Sequence, residues 1–322
     1  MRSDVQEAAK LLRDSNRILI SGHINPDGDS LGSMCALGHV LRSLGKTVVA
    51  ISPDGVPDGY KFLPGSDHIV TQLPHDRQFD LCVTVDSENE GRLGDVAQVL
   101  KSCKKTLDID HHPGGERTAD VQVVDATSAS SGEIVYEILK EMGVRIGPAV
   151  AECLLTAIVT DTGCFRFSNV KPTTLRTAAS LIEKGASISK VVRRVYETRP
   201  LSSAKLLGAA LSSLNTSENG QIAYASITQE QMAAAGADAS EAEGIVNYIR
   251  SVRGARIGIL FREEEGGTTR VSLRAGEGFD VAQVARLFGG GGHKTAAGCT
   301  IDRPVAEAVD LVIGAAQKWM AS

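Results

Sequence analysis

Short apolar runs rich in β-branched residues alternate with stretches of helical periodicity over the first part of the chain. This alternation is typical of βαβ units, in which consecutive strands run parallel and helices cover the sheet. We therefore predict an α/β fold whose first domain is a doubly wound, largely parallel sheet with helices on both faces. The predicted strands are residues 17–21, 47–52, 79–85 and 105–109, and the predicted helices are residues 31–44, 96–103, 131–142, 148–159 and 172–184.

A mixed pattern containing Pro200 interrupts this alternation at residues 186–211, and a second set of elements follows it. Such a break favours a connection between domains, and a chain of 322 residues is long enough for two. We predict a first domain over residues 1–185, a linker over residues 186–211 and a smaller α/β domain with a mixed sheet over residues 212–322. The predicted elements of this second domain are strands at residues 221–227, 257–262 and 269–273 and helices at residues 241–250, 281–288 and 306–319.

Composition indicates which binding partners and which cellular compartment to expect. The formal net charge of -5 and the pI near 5.8 argue against sequence-blind binding to long nucleic acid, because such binding needs a basic surface. Six cysteines without a C-x-x-C pair indicate reduced thiols. The N-terminus lacks an apolar signal core, and no run of about 18 apolar residues occurs. We expect a soluble, cytoplasmic protein that binds small anionic substrates and no membrane.

Acidic and imidazole groups follow apolar runs at four places. They are His23, Asp27 and Asp29 after residues 17–20, Asp86 after residues 81–85, Asp110, His111 and His112 after residues 106–109, and Asp161 after residues 157–160. Because the carboxyl ends of strands in an open α/β sheet converge on one crevice, we predict a single site. Carboxylates gathered there would repel one another without a cation. Oxygen and imidazole ligands without a thiolate suit Mn²⁺ or Mg²⁺ better than structural Zn²⁺.

Each group also has a plainer explanation. Asp27 and Asp29 could belong to an Asx-rich turn that caps the next helix, and Asp86 could belong to an ordinary turn. Residues 110–112 could form a solvated surface turn, and Asp161 could be a helix-terminal residue. Convergence of all four groups on one crevice is the feature that favours a metal site.

Four consecutive glycines followed by a histidine form the outstanding feature near the C-terminus. Such a run loses much conformational entropy on folding, so something must approach its backbone closely. The glycine amides could cradle an anionic oxygen, and an arginine on a nearby strand could bind a phosphate through two hydrogen bonds. A flexible turn is the alternative. The candidate substrate-binding residues are Ser272, Arg274, Gly290, Gly291, Gly292 and His293.

These motifs together resemble the DHH phosphoesterase family with its DHH-associated C-terminal domain. The resemblance rests on His23-x-Asn25-Pro26-Asp27-x-Asp29, Asp86, Asp110-His111-His112, Asp161 and the glycine-rich run at residues 289–298, and it spans nearly the whole chain. The chain is most similar to the NrnA-type branch, whose members degrade very short RNAs from one end and remove the 3′-phosphate of adenosine 3′,5′-bisphosphate. One departure is Ala275, where the family often has a second serine after the arginine.

The resemblance implies a site for two Mn²⁺ ions, with Mg²⁺ or Co²⁺ as alternatives. It assigns His23, Asp27 and Asp86 to one ion, and Asp29, Asp86, His111 and Asp161 to the other, so that Asp86 bridges them. It further implies that Asp110 and His112 are catalytic, with Asp110 orienting His111 and His112 facing the scissile phosphate. A hydroxide shared by the ions would attack phosphorus in line.

The function that follows from the resemblance is hydrolysis of short oligoribonucleotides (nanoRNA) to mononucleotides and of the 3′-phosphate of adenosine 3′,5′-bisphosphate. A phosphodiesterase for linear or cyclic dinucleotides and an inorganic pyrophosphatase are the enzymatic alternatives. The glycine run argues against the pyrophosphatase, whose second domain is rich in Lys and Arg. A nucleotide-binding sensor is the non-enzymatic alternative, but it predicts a missing ligand and none is missing. The resemblance also implies a homodimer.

Overall fold

The computed structural model describes residues 2–76, 78–114, 117–276 and 278–321 of the chain, apart from the side chains of Glu90, His293 and Ala321. The chain divides into two compact units, Met1–Thr198 and Arg199–Ser322. The division falls inside residues 186–211, for which the sequence predicted the linker. This stretch is helical on both sides of the division, with Val191 buried in the first unit and Leu206 buried in the second.

A parallel sheet with helices on both faces forms the first unit. Its strands are β1 (Arg17–Ser21), β2 (Thr47–Ile51), β3 (Ile69–Val70), β4 (Leu81–Val85), β5 (Thr106–Asp110) and β6 (Val121–Val124). Its helices are α1 (Ser3–Asp14), α2 (Gly28–Ser43), α3 (Val96–Leu100), α4 (Ser131–Glu141), α5 (Pro148–Asp161), α6 (Pro172–Glu183) and α7 (Ile188–Val192). The strand order is β3-β2-β1-β4-β5-β6, and each neighbouring pair is parallel. The predicted doubly wound class is confirmed.

Burial on both faces explains why the central strands have apolar sequences without alternation. Successive side chains of a strand point to opposite faces of the sheet. Ile18 and Ile20 pack into a core shared with α2 and α5, whereas Leu19 packs with Phe79 and with residues of α3 on the other face. Strands β1, β2 and β4 therefore contribute to both cores, with Leu19, Ile51 and Cys82 on the side of Phe79 and α3.

Helix α2 begins three residues earlier than predicted. Asp27 is its N-cap, and Oδ1 of this residue accepts hydrogen bonds from the amides of Asp29 and Ser30, both at 3.0 Å. An N-cap carboxylate satisfies amides that lack partners inside the helix, which stabilises this start. Asp29 therefore lies in the first turn of α2.

Close packing of α2 against α5 brings two acidic residues together. A Cβ atom on Gly28 would lie 2.4 Å from the Thr160 side chain, and one on Gly32 would lie 2.5 Å from the carbonyl oxygen of Cys153. Only glycine allows this approach without displacing the Thr160 side chain at Gly28 or the backbone of α5 at Gly32. The start of α2, with Asp29, consequently lies beside the end of α5, with Asp161.

The second unit contains a mixed sheet, as predicted. Its strands are β7 (Asn215–Thr216), β8 (Ile222–Ile227), β9 (Ile257–Glu263), β10 (Thr269–Ala275), β11 (Gly291–His293) and β12 (Ala296–Ile301). Its helices are α8 (Leu201–Ser212), α9 (Gln229–Ala235), α10 (Ile245–Arg250), α11 (Val281–Arg286) and α12 (Val305–Ala321). The order is β11-β12-β10-β9-β8-β7, with β8 and β9 parallel and the other pairs antiparallel. Within the described ranges, no helix has the length and apolar character that a membrane span requires.

Candidate metal centre

The predicted site lies where the strand order of the first sheet reverses. The chain leaves β1 towards β2 on one side, and β4 lies on the other side of β1. Open α/β sheets bind ligands in the crevice at this point, beyond the carboxyl ends of the strands. The loops after β1, β4 and β5 and the facing ends of α2 and α5 all deliver candidate residues to it. Side-chain atoms that could hold a metal form three groups here: His23, Asp27 and Asp86; Asp29, His111 and Asp161; and Asp86, Asp110, His111 and His112.

His23 is the imidazole of the first group. Its Nε2 atom lies 3.8 Å from Asp27 Oδ1 and 3.6 Å from Asp86 Oδ2. On the other side of the ring, Nδ1 lies 2.7 Å from the carbonyl oxygen of Ile24. Nε2 is thus the ring nitrogen that faces the two carboxylates.

His111 is the imidazole of the second group. Its Nε2 atom lies 3.7 Å from Asp29 Oδ2, 3.5 Å from Asp86 Oδ1 and 3.5 Å from Asp161 Oδ2. Asp86 thus directs Oδ1 towards His111 and Oδ2 towards His23. One carboxylate is shared by the two groups, which is the arrangement expected of a ligand that bridges two ions.

The donor set fits a divalent cation. His111 Nε2 is buried and has no hydrogen-bond partner among the described residues, although buried ring nitrogens are almost always paired. Ligand atoms about 2.1 Å from one octahedral ion stand about 3 Å apart. Three carboxylate oxygens at 3.5–3.7 Å from this nitrogen are near that spacing. A cation among them would satisfy the nitrogen and the carboxylates together.

The pKa shifts in the cluster also favour a bound cation. Burial opposes protonation of His111, but the carboxylates of Asp86, Asp29 and Asp161 outweigh it and raise the pKa of His111 to about 10. Burial, with repulsion from Asp86, raises the pKa of Asp161 to about 7 against the opposing effect of His111. Burial and the charge of Asp86 also raise the pKa of Asp29 well above its usual range. Positive charge in the cluster is therefore stabilising, and protons on the imidazoles supply it when no metal is bound.

Asp29 is oriented by the start of a neighbouring helix. Its Oδ2 accepts a hydrogen bond from the amide of Ser131 at 2.7 Å, and its Oδ1 accepts one from the amide of Gly132 at 2.9 Å. These amides belong to the first turn of α4, where they lack partners within the helix. The carboxylate is fully buried and its rotamer is fixed by the backbone.

Asp110 is paired with His112, whereas the sequence predicted that it orients His111. Its Oδ1 accepts hydrogen bonds from the amide of His112 at 3.0 Å and from the ring Nδ1 of His112 at 2.7 Å. The cause is geometric. The chain turns directly after β5, so that the residue two positions after Asp110 folds back onto its carboxylate, as in an Asx turn.

Left-handed backbone conformations occur in the loops that carry these groups. Asn25, Asp86 and Glu88 have φ values of 53°, 57° and 57°. After α5, Cys164 and Phe165 have φ values of 60° and 61°. Residues other than glycine seldom adopt this region, Asn and Asp do so more readily than most, and such residues cluster at functional sites. At Asp86 the conformation turns the chain at the end of β4 and points the carboxylate into the crevice.

Three charged residues near the cluster were absent from the prediction. Arg92 Nη2 lies 3.0 Å from His23 Nδ1. Arg117 forms ion pairs with Asp108 and Asp110. Asp108 was visible as an acid inside an apolar strand, two positions before Asp110, and this spacing places both side chains on one face. Nothing in the sequence marked Arg92, which lies in a short 3₁₀ helix (Glu90–Leu93), or Arg117, which lies in a loop, because the course of both segments follows from tertiary packing.

The second unit places the other predicted residues on β10 and β11, except Gly290, which directly precedes β11. Ser272 and Arg274 are two positions apart on β10 and thus on one face, and the register puts the backbones of Arg274 and His293 on opposite sides of Ala296. Burial lowers the pKa of Arg274 against the opposing charge of Glu243. The side chain of His293 lies outside the described part of the chain.

The close approach that the glycine run requires is made by β12. A Cβ atom on Gly290 would lie 2.2 Å from the carbonyl oxygen of Gly298, and one on Gly292 would lie 2.5 Å from that of Ala296. Gly291 pairs with Gly298 in the ladder and has no neighbour at its Cβ position within 4 Å among the described residues. Strand packing therefore explains two of the glycines without a ligand.

Comparison with known proteins gives matches over both units. Residues 17–158 match the N-terminal domain of the DHH family, and residues 219–322 match the DHHA1 domain. The bifunctional oligoribonuclease and PAP phosphatase NrnA of Thermus thermophilus is 32% identical over 287 residues, covering 88% of this chain and 84% of that protein. Its namesake from Bacillus subtilis is 33% identical over 290 residues, covering 88% and 89%. The crystal structure of an exopolyphosphatase-related protein from Bacteroides fragilis, 27% identical, has a TM-score of 0.93 and covers 99% of this chain and 97% of that one.

Proposed function

This chain belongs to the DHH family and is a metal-dependent phosphoesterase, and we propose that it hydrolyses short oligoribonucleotides to mononucleotides and removes the 3′-phosphate of adenosine 3′,5′-bisphosphate. The observation that carries the proposal is the position of Asp86 between His23 and His111, 3.6 Å from one Nε2 and 3.5 Å from the other. Two relatives that cover most of the chain are named for both activities.

Two ions would be held by the groups described above. His23, Asp27 and Asp86 would hold one ion, and Asp29, Asp86, His111 and Asp161 would hold the other. Hard carboxylate oxygens with two imidazoles and no thiolate favour Mn²⁺, and Mg²⁺ and Co²⁺ accept the same donors. When bound, such a pair supplies an ionised water as the nucleophile and neutralises charge on the phosphoryl oxygens.

The protein's own residues supply orientation and a placed proton. The amides of α4 fix the Asp29 carboxylate, and the left-handed backbone at Asp86 directs its side chain into the crevice. Asp110 accepts a hydrogen bond from His112 Nδ1, so the proton is held on that nitrogen and the ring orientation is set. We propose that His112 faces the scissile phosphate and contacts its oxygens, while Asp110 keeps the imidazole in that orientation.

The second unit would bind the rest of the nucleotide. Arg274 has a planar guanidinium that can bind a phosphate through two hydrogen bonds, and Ser272 lies on the same face of β10. The amides of Gly291 and Gly292 and the side chain of His293 complete the proposed set, whereas the Gly290 amide donates to the carbonyl oxygen of Ala285 at 2.9 Å. A chain with a net charge of -5 and a local arginine suits a small anionic substrate better than long RNA.

The test is product release by protein loaded with Mn²⁺ from three substrates: an RNA of two to five nucleotides, adenosine 3′,5′-bisphosphate and pyrophosphate. We expect mononucleotides from the first, phosphate from the second and no product from the third. Turnover of pyrophosphate alone would replace the proposal with a pyrophosphatase. A linear or cyclic dinucleotide that is cleaved much faster than longer RNAs and the bisphosphate would replace it with a dinucleotide phosphodiesterase. Nucleotide binding without turnover would indicate a sensor.

A further inference from the structure

The side chain of Arg117 is 8% exposed and lies against the carboxylates of Asp108 and Asp110. Its Nη1 atom forms an ion pair with Asp108 Oδ2, and its Nη2 atom lies 2.9 Å from Asp110 Oδ2. Nη2 also donates to the carbonyl oxygen of His112 at 3.2 Å, and Nε donates to that of Gly114 at 3.3 Å. One guanidinium thus holds two carboxylates of β5 and the loop that follows this strand.

Asp108 holds one end of this guanidinium in place. It is 4% exposed, and its Oδ1 accepts a hydrogen bond from Thr84 Oγ1 on the neighbouring strand at 2.7 Å. Asp108 and Asp110 are two positions apart on β5, so their side chains leave the same face of the sheet. Asp108 fixes one end of the planar guanidinium, and the other end is thereby aimed at Asp110.

Asp110 is saturated on both oxygens as a result. Oδ1 accepts from the amide and from the ring Nδ1 of His112, while Oδ2 accepts from the amide of Glu88 and pairs with Arg117. A carboxylate with four donors cannot rotate without losing several of them. The ring of His112 is therefore oriented by a group that is itself immobilised, and its backbone is held by the same arginine.

We propose that Arg117, held by Asp108, is a positioning residue that acts on phosphoester hydrolysis through Asp110 and His112. The inference rests on the proposed role of His112 at the scissile phosphate. A contribution to stability does not by itself explain why the chain has these three charged residues here, because a buried ion triad is often no more stabilising than apolar side chains of similar volume. Its contacts instead converge on one histidine of the centre, as groups do that orient a reacting side chain.

The test is a double-mutant cycle of Arg117→Lys and His112→Ala in the metal-loaded protein. Lysine keeps the charge but cannot hold two carboxylates and two carbonyls in one plane. We expect Arg117→Lys to lower kcat by about 10- to 100-fold with KM and metal content unchanged. In the His112→Ala background the same substitution should change kcat less than about 2-fold, because residues that act as a unit are not additive.

Lys105→Met is the matched control, since it removes an exposed ion pair with Asp120 next to the same strand. It should leave kcat unchanged. If Arg117→Lys does not fold, Asp108→Asn enters the same cycle, because it keeps the shape of the side chain and removes the anchoring charge. An equal loss of kcat with and without His112, or no loss at all, would overturn the inference.

A measurement without turnover separates this inference from the proposed function. In metal-free protein labelled with ¹⁵N-histidine, the Nδ1 proton of His112 should give a protected NMR signal, identified by its loss in His112→Ala. Arg117→Lys should shift this signal or broaden it by exchange, whereas Lys105→Met should leave it in place. An unchanged signal in Arg117→Lys would overturn the positioning role whichever substrate the protein hydrolyses. Failure of wild-type protein to release product from the short RNA and from the bisphosphate would contradict the proposed function, whereas the orientation of His112 by Arg117 would still be decided by this NMR signal.

Discussion

The carboxylate of Asp29 accepts a hydrogen bond from the backbone amide of Ser131 at 2.7 Å. A candidate metal ligand on one helix is thus oriented by the first turn of another, and the neighbouring amide of Gly132 binds its second oxygen. Both donors are backbone amides, so substitutions of the α4 side chains leave these two hydrogen-bond donors in place. Because both carboxylate oxygens accept from an amide, even the isosteric change Asp29→Asn should disturb this contact.

Asp29→Asn should lose metal and stability together. The amide group of asparagine turns an N–H donor towards one of the two backbone amides, which leaves a buried donor unpaired at a cost of about 1–3 kcal/mol. Chemical denaturation should show this loss, and elemental analysis should show less metal per chain. Asp58→Asn is the control, because the Asp58 side chain is 92% exposed, and it should change neither quantity. Full metal content in Asp29→Asn would contradict its assignment as a ligand.

Asp86→Asn should abolish binding of both ions. Because Asp86 faces both imidazoles, its loss should reduce the metal content from about two ions per chain to less than one. Asparagine tolerates the left-handed backbone at this position, so the fold is kept. We expect kcat to fall by at least about 1,000-fold, and the rise of Tm on addition of Mn²⁺ to disappear. Retention of the Tm rise would show that Asp86 does not bridge.

Asp27→Ser separates the two roles of Asp27. Serine is also an effective N-cap, so the start of α2 should keep its stability, whereas serine is a poor ligand for Mn²⁺. We expect an unfolding free energy within about 0.5 kcal/mol of wild type and a clear loss of activity. Asp27→Ala would lose about 1 kcal/mol in addition, because it removes the cap. Equal stability of the two variants would contradict the capping role, and full activity of Asp27→Ser would contradict the ligand role.

His111 and His112 should give opposite results when each is replaced by alanine. His111→Ala removes the imidazole that lies among three carboxylates and should lower metal content as well as kcat. His112→Ala should keep the metal and lower kcat by about 100-fold or more, as loss of a group that acts on the reacting phosphate does. Elemental analysis of both variants beside their turnover makes the comparison. Metal loss in His112→Ala alone would exchange the two assignments.

Arg274→Ala should raise KM for nucleotides by about 10-fold or more and leave kcat nearly unchanged, since it removes binding shared by substrate and transition state. Arg270→Ala is the matched control. Arg270 lies on the same face of β10, is exposed and contacts Thr300. Steady-state kinetics with adenosine 3′,5′-bisphosphate measure both. An equal rise of KM in the two variants would indicate a general charge effect and no specific contact.

Much of the fold could be predicted because the central strands are apolar on both faces. Residues such as Ile18 and Leu19 have to be buried on opposite sides, and this leaves a pattern that is visible along the chain. The candidate site followed from the same rule, since each of its groups lies at the end of a buried element or shortly after it. The prediction that these groups meet holds for the geometry, while their roles as ligands stay predictions.

What the sequence did not predict depends on contacts between distant segments. The early start of α2 results from capping by Asp27, which one sequence does not distinguish from an ordinary turn. The partner of Asp110 depends on how the chain turns after β5, and adjacent histidines give no sign of which one folds back. The role of Arg117 also left no sign in the sequence, because only the tertiary fold places it between Asp108 and Asp110.

The six candidate ligands are distributed from His23 to Asp161, on loops and helices that follow three different strands and on the facing ends of α2 and α5. No short fragment of the chain contains both groups. During synthesis, an emerging chain would hold the His23 and Asp27 side chains long before Asp86, and it would lack Asp161 until α5 had formed. In the proposed two-ion site, high-affinity capture of the second ion would therefore wait until the first unit is essentially folded, and occupancy of that position would report folding in cells or in cell-free translation.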